Sequence, residues 1–242
     1  MRIALIICLL LLAACHTTDP PATGTQKTGW HPILTENRRF VYAARWYAPG
    51  ATMATLDTVV LVASGKAWPP DSLLQTQIAW QYQSDSTLTS APQAQTGAIE
   101  NTDKFWLHPP RSGQYRILEL NPFPDIELPV KSGKTWTWAV YPPDIYADSA
   151  WVTWKGVLTV NHHYQLTDST LLPTPLGRLP CHRVLATGTC KLGTTALESY
   201  FNPTYGFVRL HYRNIDRSRL ELELVSVTSR PTLDKAIFSK HL

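Results

Sequence analysis

The chain of 242 residues predicts an all-β, antiparallel fold: a strongly curved sheet, half-barrel or sandwich with little helix. Three observations carry that expectation. Nineteen prolines are spread along the chain, with pairs at Pro69-Pro70, Pro109-Pro110 and Pro142-Pro143. They interrupt any ordinary helix, because proline lacks the N–H and clashes with the preceding turn. Between them lie short aromatic or β-branched runs: Phe40 to Tyr47, Thr58 to Val62, Gln77 to Tyr82, Tyr115 to Leu120, Thr135 to Val140 and Trp151 to Val160. Short strands separated by turn signals read as a sandwich or barrel-like sheet.

The third observation is a hairpin whose register follows from residue parity. Val208, Leu210 and Tyr212 share one face of the first strand, and Leu220, Leu222 and Leu224 one face of the second, with Asn214 to Ser218 as the turn. Matching these faces pairs Tyr212 with Leu220, Leu210 with Leu222 and Val208 with Leu224. Arg209 then meets Glu223 and His211 meets Glu221 on the wet face. A slip of one residue would bury those charges, so the register is well specified. A looser echo links Phe105-Trp106 through Pro109 and Gly113 to Tyr115 with Tyr200-Phe201 through Pro203 and Gly206 to Val208. It raises the expectation of two similar halves.

Residues 1 to 15, MRIALIICLLLLAAC, form the arrangement of a secretory signal peptide: Arg2, an apolar run from Ile3 to Leu12, then small residues. The run is shorter than the roughly 20 apolar residues of a spanning helix. Its Leu-Ala-Ala-Cys ending resembles the lipobox of bacterial lipoproteins. That resemblance implies cleavage before Cys15, whose thiol takes a diacylglyceryl group. The expected organisation is a signal peptide over 1–14, a tether over 15–29, one β domain over 30–229, and a tail or short helix over 230–242. A flexible tether of that length reaches about 20 Å. His16, in place of an aspartate after the lipid site, favours the outer membrane, with the domain facing periplasm or exterior.

Composition agrees with a globular domain: 44% hydrophobic and 17% charged residues. The net charge of +4 is spread along the chain, which gives no nucleic-acid footprint. Beyond Cys8 and Cys15, two cysteines remain, Cys181 and Cys190. An exported compartment permits a disulfide between them. They have opposite parity on one strand, so a bridge requires the chain to turn between them, since their Cα atoms must come within about 7 Å. Two free thiols acting as small hydrophobes are the alternative.

From Phe105 to Val227 the chain resembles a group of uncharacterised bacterial lipoproteins, through HPPRSGQYRILELNPFPDIELP (108–129), GKTWTW (133–138), TPLGRLPCHRVLATG (174–188) and YFNPTYGFVRLHYRN (200–214). The last two stretches are similar to TapB-like and LolA-like curved sheets. That resemblance implies a half-barrel around an apolar cavity and supplies no catalytic residues.

Motifs for chemistry are weak. His162-His163 is the densest histidine cluster, but neighbours on a strand point to opposite faces. No zinc spacing, phosphate loop or nucleophile elbow is present, so no metal, cofactor or catalytic residue is assigned. The nine tryptophans are the one compositional excess. Trp136 and Trp138 share a strand face, with Trp151 and Trp154 close behind. They read as a sugar platform, as the lining of an apolar pocket, or as core, where aromatics fit strands well. The function expected is that of a membrane-tethered, non-enzymatic envelope lipoprotein binding an apolar ligand or an envelope protein. A cell-envelope hydrolase with a site hidden from the sequence is the alternative.

Overall fold

The computed structural model describes residues 32–68, 75–82, 95–230 and 235–238. The signal peptide, Cys15 and the tether over 15–29 therefore lie outside the described residues. Twelve strands are described: β1 (Arg38–Tyr47), β2 (Thr55–Ala67), β3 (Gln75–Tyr82), β4 (Gln95–Glu100), β5 (Lys104–Leu107), β6 (Asp125–Glu127), β7 (Thr135–Val140), β8 (Val160–Thr174), β9 (Gly177–Cys190), β10 (Gly193–Asn202), β11 (Gly206–Arg213) and β12 (Arg219–Ser229). They form one antiparallel sheet in the order β6-β5-β4-β3-β2-β1-β12-β11-β10-β9-β8-β7. The all-β, curved-sheet expectation holds.

Two six-stranded meanders are thus joined along β1 and β12, which pair from Arg38↔Ser229 to Tyr47↔Arg219. The outer strands β6 and β7 are neighbours in sequence, and the sheet curls until they meet. Across that second seam Trp136 Nε1 donates to Asp125 Oδ2 at 3.0 Å, and Lys134 Nζ lies 3.0 Å from Glu127 Oε2. Side chains, not a backbone ladder, close the curl.

The concave face holds a continuous core. Phe40 and Tyr42 of β1, Leu61 of β2, Trp80 of β3, Tyr164 of β8 and Leu222 of β12 are all buried in it. The C-terminal hairpin has the predicted register: Tyr212↔Leu220, His211↔Glu221, Leu210↔Leu222 and Arg209↔Glu223. Its turn closes through Asn214 and Ser218, whose backbone and side chains bond to each other. On the convex face a short helix, α1 (Lys235–Phe238), covers β2 and β3, with Ile237 packed among Val60, Val62 and Ala79. This explains the unbroken burial from Val59 to Ser64 along β2, which is covered on both faces.

Two predicted strands are not strands. Residues 115–120 belong to a 3₁₀ helix, Gly113–Leu120. Prolines 109, 110, 122 and 124 deny this segment a ladder on either side. It crosses the concave face instead, buried at Tyr115, Ile117, Leu118 and Leu120. The echo therefore ends at its glycine: Gly113 opens a helix where Gly206 opens a strand. Residues 151–159 form a loop held by isolated bridges Asp148↔Val152 and Pro143↔Val157, and the ladder resumes at Val160. Gly156, at φ 71°, and the Asp148 turn bend the chain there.

Cys181 and Cys190 are free. Both lie on the uninterrupted strand β9. Nine steps of about 3.3 Å put them roughly 30 Å apart, far beyond disulfide reach. The bridge is excluded.

Candidate functional site

Because strand direction alternates, the loops sort to two rims. The chain enters β1 at one, the entry rim. The other, the far rim, gathers the β1–β2 turn, the segment between β5 and β6, the 141–159 loop and the turns before β10 and β12. The segment between β5 and β6, residues 108–124, acts as a strap across the cup at this far end.

The strap is pinned by strands all around it. Trp80 Nε1 donates to the His108 carbonyl at 2.9 Å, and Tyr82 Oη accepts from the backbone N–H of Arg111 at 3.2 Å. Tyr115 donates its hydroxyl to Asp57 at 2.9 Å. From the opposite arm, Tyr164 donates to the Phe123 carbonyl at 3.1 Å and Thr195 to the Leu120 carbonyl at 2.9 Å. Asn121 Nδ2 donates to the Arg213 carbonyl at 3.1 Å. Gly188 makes room for the strap: a Cβ there would lie 2.5 Å from Thr195 Oγ1 and 3.3 Å from Pro122. Each buried carbonyl of the crossing segment so bonded avoids the cost of an unpaired polar group.

Ionisable groups are buried with the strap. Burial pushes the Glu119 carboxyl up to about 7, against the opposing pull of Arg111 and Arg116. Burial pushes the His108 imidazole down to about 3, with the Arg111 charge adding to the shift. His108 Nδ1 lies 2.9 Å from the Pro109 carbonyl, so the proton sits there and Nε2 is an acceptor. Glu119 Oε1 lies 3.4 Å from that Nε2. A neutral acid facing a neutral imidazole is the pairing these surroundings favour. At the seam, burial raises Asp125 to about 6, while Lys104, 3.1 Å away, and the Trp136 bond act against it. His162 points into the core and is held down to about 4 by burial, whereas His163 points outward.

Trp136 and Trp138 do share a face, and both are packed. Trp136 is 8% exposed and stacks on Tyr164, ring centres 5.2 Å apart. Trp138 meets Trp106, Phe123 and His162 edge-on at 5.7, 5.3 and 5.8 Å. Trp151 packs at the margin of this core, its Nε1 donating to the Tyr146 carbonyl. Trp154 belongs to a separate cluster with Leu120, Leu158 and Val160 beneath the 141–159 loop. The four rings do not converge on one pocket.

One open pocket, of about 330 Å³, lies against the strap between Asp57, Tyr82 and Tyr115, and two lie on the convex side. A groove of about 510 Å³ runs over β9 to β12, lined by Arg183, Glu198, His211, Arg213, Arg219 and Glu221 among others. Arg183 and Glu198 form an ion pair at 2.6 Å within it. Arg213 and Arg219 are directly opposite each other in the ladder, a like-charge pairing that costs stability. A second open pocket of about 400 Å³ contains Asp168, Ser169 and Arg183. Beside it Ser169 Oγ lies 2.8 Å from His182 Nδ1, at the irregular register between Leu166 and Ser169.

Sequence reasoning missed His108, Glu119 and Asp125. For Glu119 and Asp125 the signal was available as charged residues embedded in an apolar, proline-rich stretch, ILELNPFPDIELP; His108 lies upstream of it, before Pro109-Pro110.

No family model matches the chain, and no curated protein matches it. Three solved structures are similar in outline. One, described as an exported protein with a YmcC-like fold from Bacteroides fragilis, is 11% identical, with 81% of this chain and 97% of that one covered and a TM-score of 0.42. A protein of Parabacteroides distasonis described as a lipoprotein is 13% identical, with 81% and 96% covered and a TM-score of 0.47. The hypothetical lipoprotein YmcC of Escherichia coli is 11% identical, with 82% and 90% covered and a TM-score of 0.38. The TapB-like and LolA-like comparison finds no counterpart among these three. Likeness this distant bears on neither activity nor partner.

Proposed function

We propose that this chain is a lipid-anchored protein of the bacterial envelope that works by binding another envelope protein. The leader and its Leu-Ala-Ala-Cys ending support the location, with Cys15 as the acylated residue. The single observation that carries the mode of action is the strap. It fills the far end of the concave face with the chain's own buried residues, while the charged groove of about 510 Å³ on the convex side stands open as a recognition surface. An apolar ligand held in the cup would have to displace six hydrogen-bonded contacts of the strap. A polar protein surface complementary to Arg213, Arg219 and Glu221 needs no such change.

Three measurements test this. Cys15→Ser should leave the protein unprocessed or release it from the membrane fraction; a processed, membrane-bound variant would overturn the anchor. A photo-reactive residue at Thr187, exposed beside the groove, should give one discrete adduct in cells that Arg219→Glu abolishes. A co-purifying apolar molecule in native mass spectrometry would return the ligand to the cup.

A hydrolase is the second reading, and the Ser169–His182 pair favours it. A hydroxyl within hydrogen-bond reach of an imidazole is the start of a nucleophile–base arrangement. Among the described residues no group bonds the far nitrogen of His182 to orient it. Labelling of Ser169 by a fluorophosphonate, lost in His182→Ala, would establish this reading over the first.

A further inference from the structure

Five of the six large apolar side chains most exposed among the described residues sit at the far rim. Met53, in the β1–β2 turn, and Leu56, at the start of β2, are 85% and 73% exposed; Tyr141, Ile145 and Val157, on the 141–159 loop, are 63–67% exposed. The two loops are connected through the strap. Leu56 shares an open pocket with Gly113 and Gln114, and Arg116, one turn further on, bonds the Ile145 carbonyl and lies over the Tyr146 ring. Single exposed apolar residues are ordinary, but a set confined to one rim is a surface with a purpose.

Cations surround these tips. Lys155, Lys191 and Arg217 are exposed on the far-rim loops, and Arg213 and Arg219 at the strand ends beside them. Three carboxylates on these loops accept from backbone N–H groups of their own segments, Asp144 from Gly156, Asp148 from Ala150 and Asp216 from Ser218; they balance the three loop cations, so Arg213 and Arg219 carry the positive excess. Asp57 accepts from Tyr115 and Thr58. Apolar prongs on separate loop tips, an amphipathic tyrosine and flanking cations match the needs of an anionic bilayer surface.

We propose that the far rim is a lipid-contacting surface, a second point of attachment to an anionic bilayer beyond the acylated Cys15. It rests on the anchor reading only for which bilayer is met. Chain length permits the anchoring one: the 17 residues from Cys15 to His31 span up to about 55–60 Å when extended. The 10 residues of β1, from entry rim to far rim, span about 34 Å.

The test is flotation of the unlipidated chain starting at His16, which carries the entire sheet. Vesicles of phosphatidylethanolamine with phosphatidylglycerol should carry it upward, and vesicles of phosphatidylcholine alone should not. Leu56→Asp with Ile145→Asp should weaken binding by about tenfold or more while leaving the urea midpoint in place, since both side chains are exposed. Lys155→Glu with Arg217→Glu should weaken it through charge, and added salt should do the same. Failure of the wild-type chain to float, or equal flotation of the aspartate variant, overturns the proposal. So does a variant that floats normally yet loses a cross-linked envelope protein, which would make the rim a protein-docking surface. The Cys15→Ser fractionation is a separate readout: it can fail while flotation succeeds, and the rim's lipid contact then stands without the anchor.

Discussion

The two seams that join the six-stranded arms are built on different principles. At the β1–β12 seam the backbone itself is continuous, with paired residues from Arg38 to Tyr47. At the β6–β7 seam the strands face each other through Trp136–Asp125 and Lys134–Glu127, with Trp136 backed by Tyr164. A backbone ladder is indifferent to side-chain chemistry and to pH. A side-chain seam depends on both, and β6, at three residues, offers little free edge to another chain. Closure of the curl is therefore constitutive on one side and conditional on the other.

Breaking the ladder should have the largest effect. Ala44→Pro removes an N–H from a strand paired on both sides, and proline is excluded from such positions. The expected outcome is loss of the folded state, read as loss of soluble protein and of a cooperative urea transition. Trp136→Ala should come next, at about 3–5 kcal/mol, the range for a truncated core aromatic. Trp136→Phe, which keeps the ring on Tyr164 but removes the N–H, should cost about 1–2 kcal/mol. Equal losses for the two variants would show that the bond, not the packing, holds the seam.

The third effect is in the pH profile. Asp125 in the folded protein titrates near 6, above the ordinary 3.8. The folded state therefore binds the proton first, so this group's stabilisation is full below about 4 and is lost as pH rises through about 6. Glu119 acts in the same sense, lost as pH rises through about 7. His108 and His162 act oppositely: their contribution is present above 6.5 and is lost as pH falls towards 3 and 4. Between pH 7 and 4 the two pairs oppose each other. Asp125→Asn should remove one acid-side gain, so the urea midpoint falls more steeply on acidification than in the unaltered chain. An unchanged slope would mean that Asp125 is ionised throughout. The smallest effect is expected of Lys134→Ala, whose partly exposed pair with Glu127 should contribute about 0–1 kcal/mol and fade with salt.

The C-terminal hairpin was legible because Leu220, Leu222 and Leu224 alternate with Glu221 and Glu223, so parity admits one register. The parity of Cys181 and Cys190 was legible as well, and their separation follows once β9 is known to be continuous. The strap was not, because Tyr115 and Ile117 alternate like a strand while Leu118 and Leu120 are buried too. Parity carries no information where burial is continuous, as it is from Ile117 to Leu120. The length of the β8–β9 hairpin was not legible, because Pro173 and Pro180 lie within its strands. They occur where Pro173 faces Arg178 and Pro180 faces Leu171, near the closing turn. The cluster of His108, Glu119 and Asp125 depends on contacts between the strap and strands distant in sequence, and no local spacing encodes those.

Joining β1 to β12 also dictates an order of events during synthesis. The strand that opens the fold finds one of its two neighbours only when the last strand arrives, most of the chain later. Until then the first meander can assemble, but β1 presents an open edge of ten residues to anything nearby. Contacts so far apart in sequence form slowly. The newly made chain thus spends its most adhesive interval after the first arm has formed and before the second has closed on it, and that interval is when a chaperone would matter most.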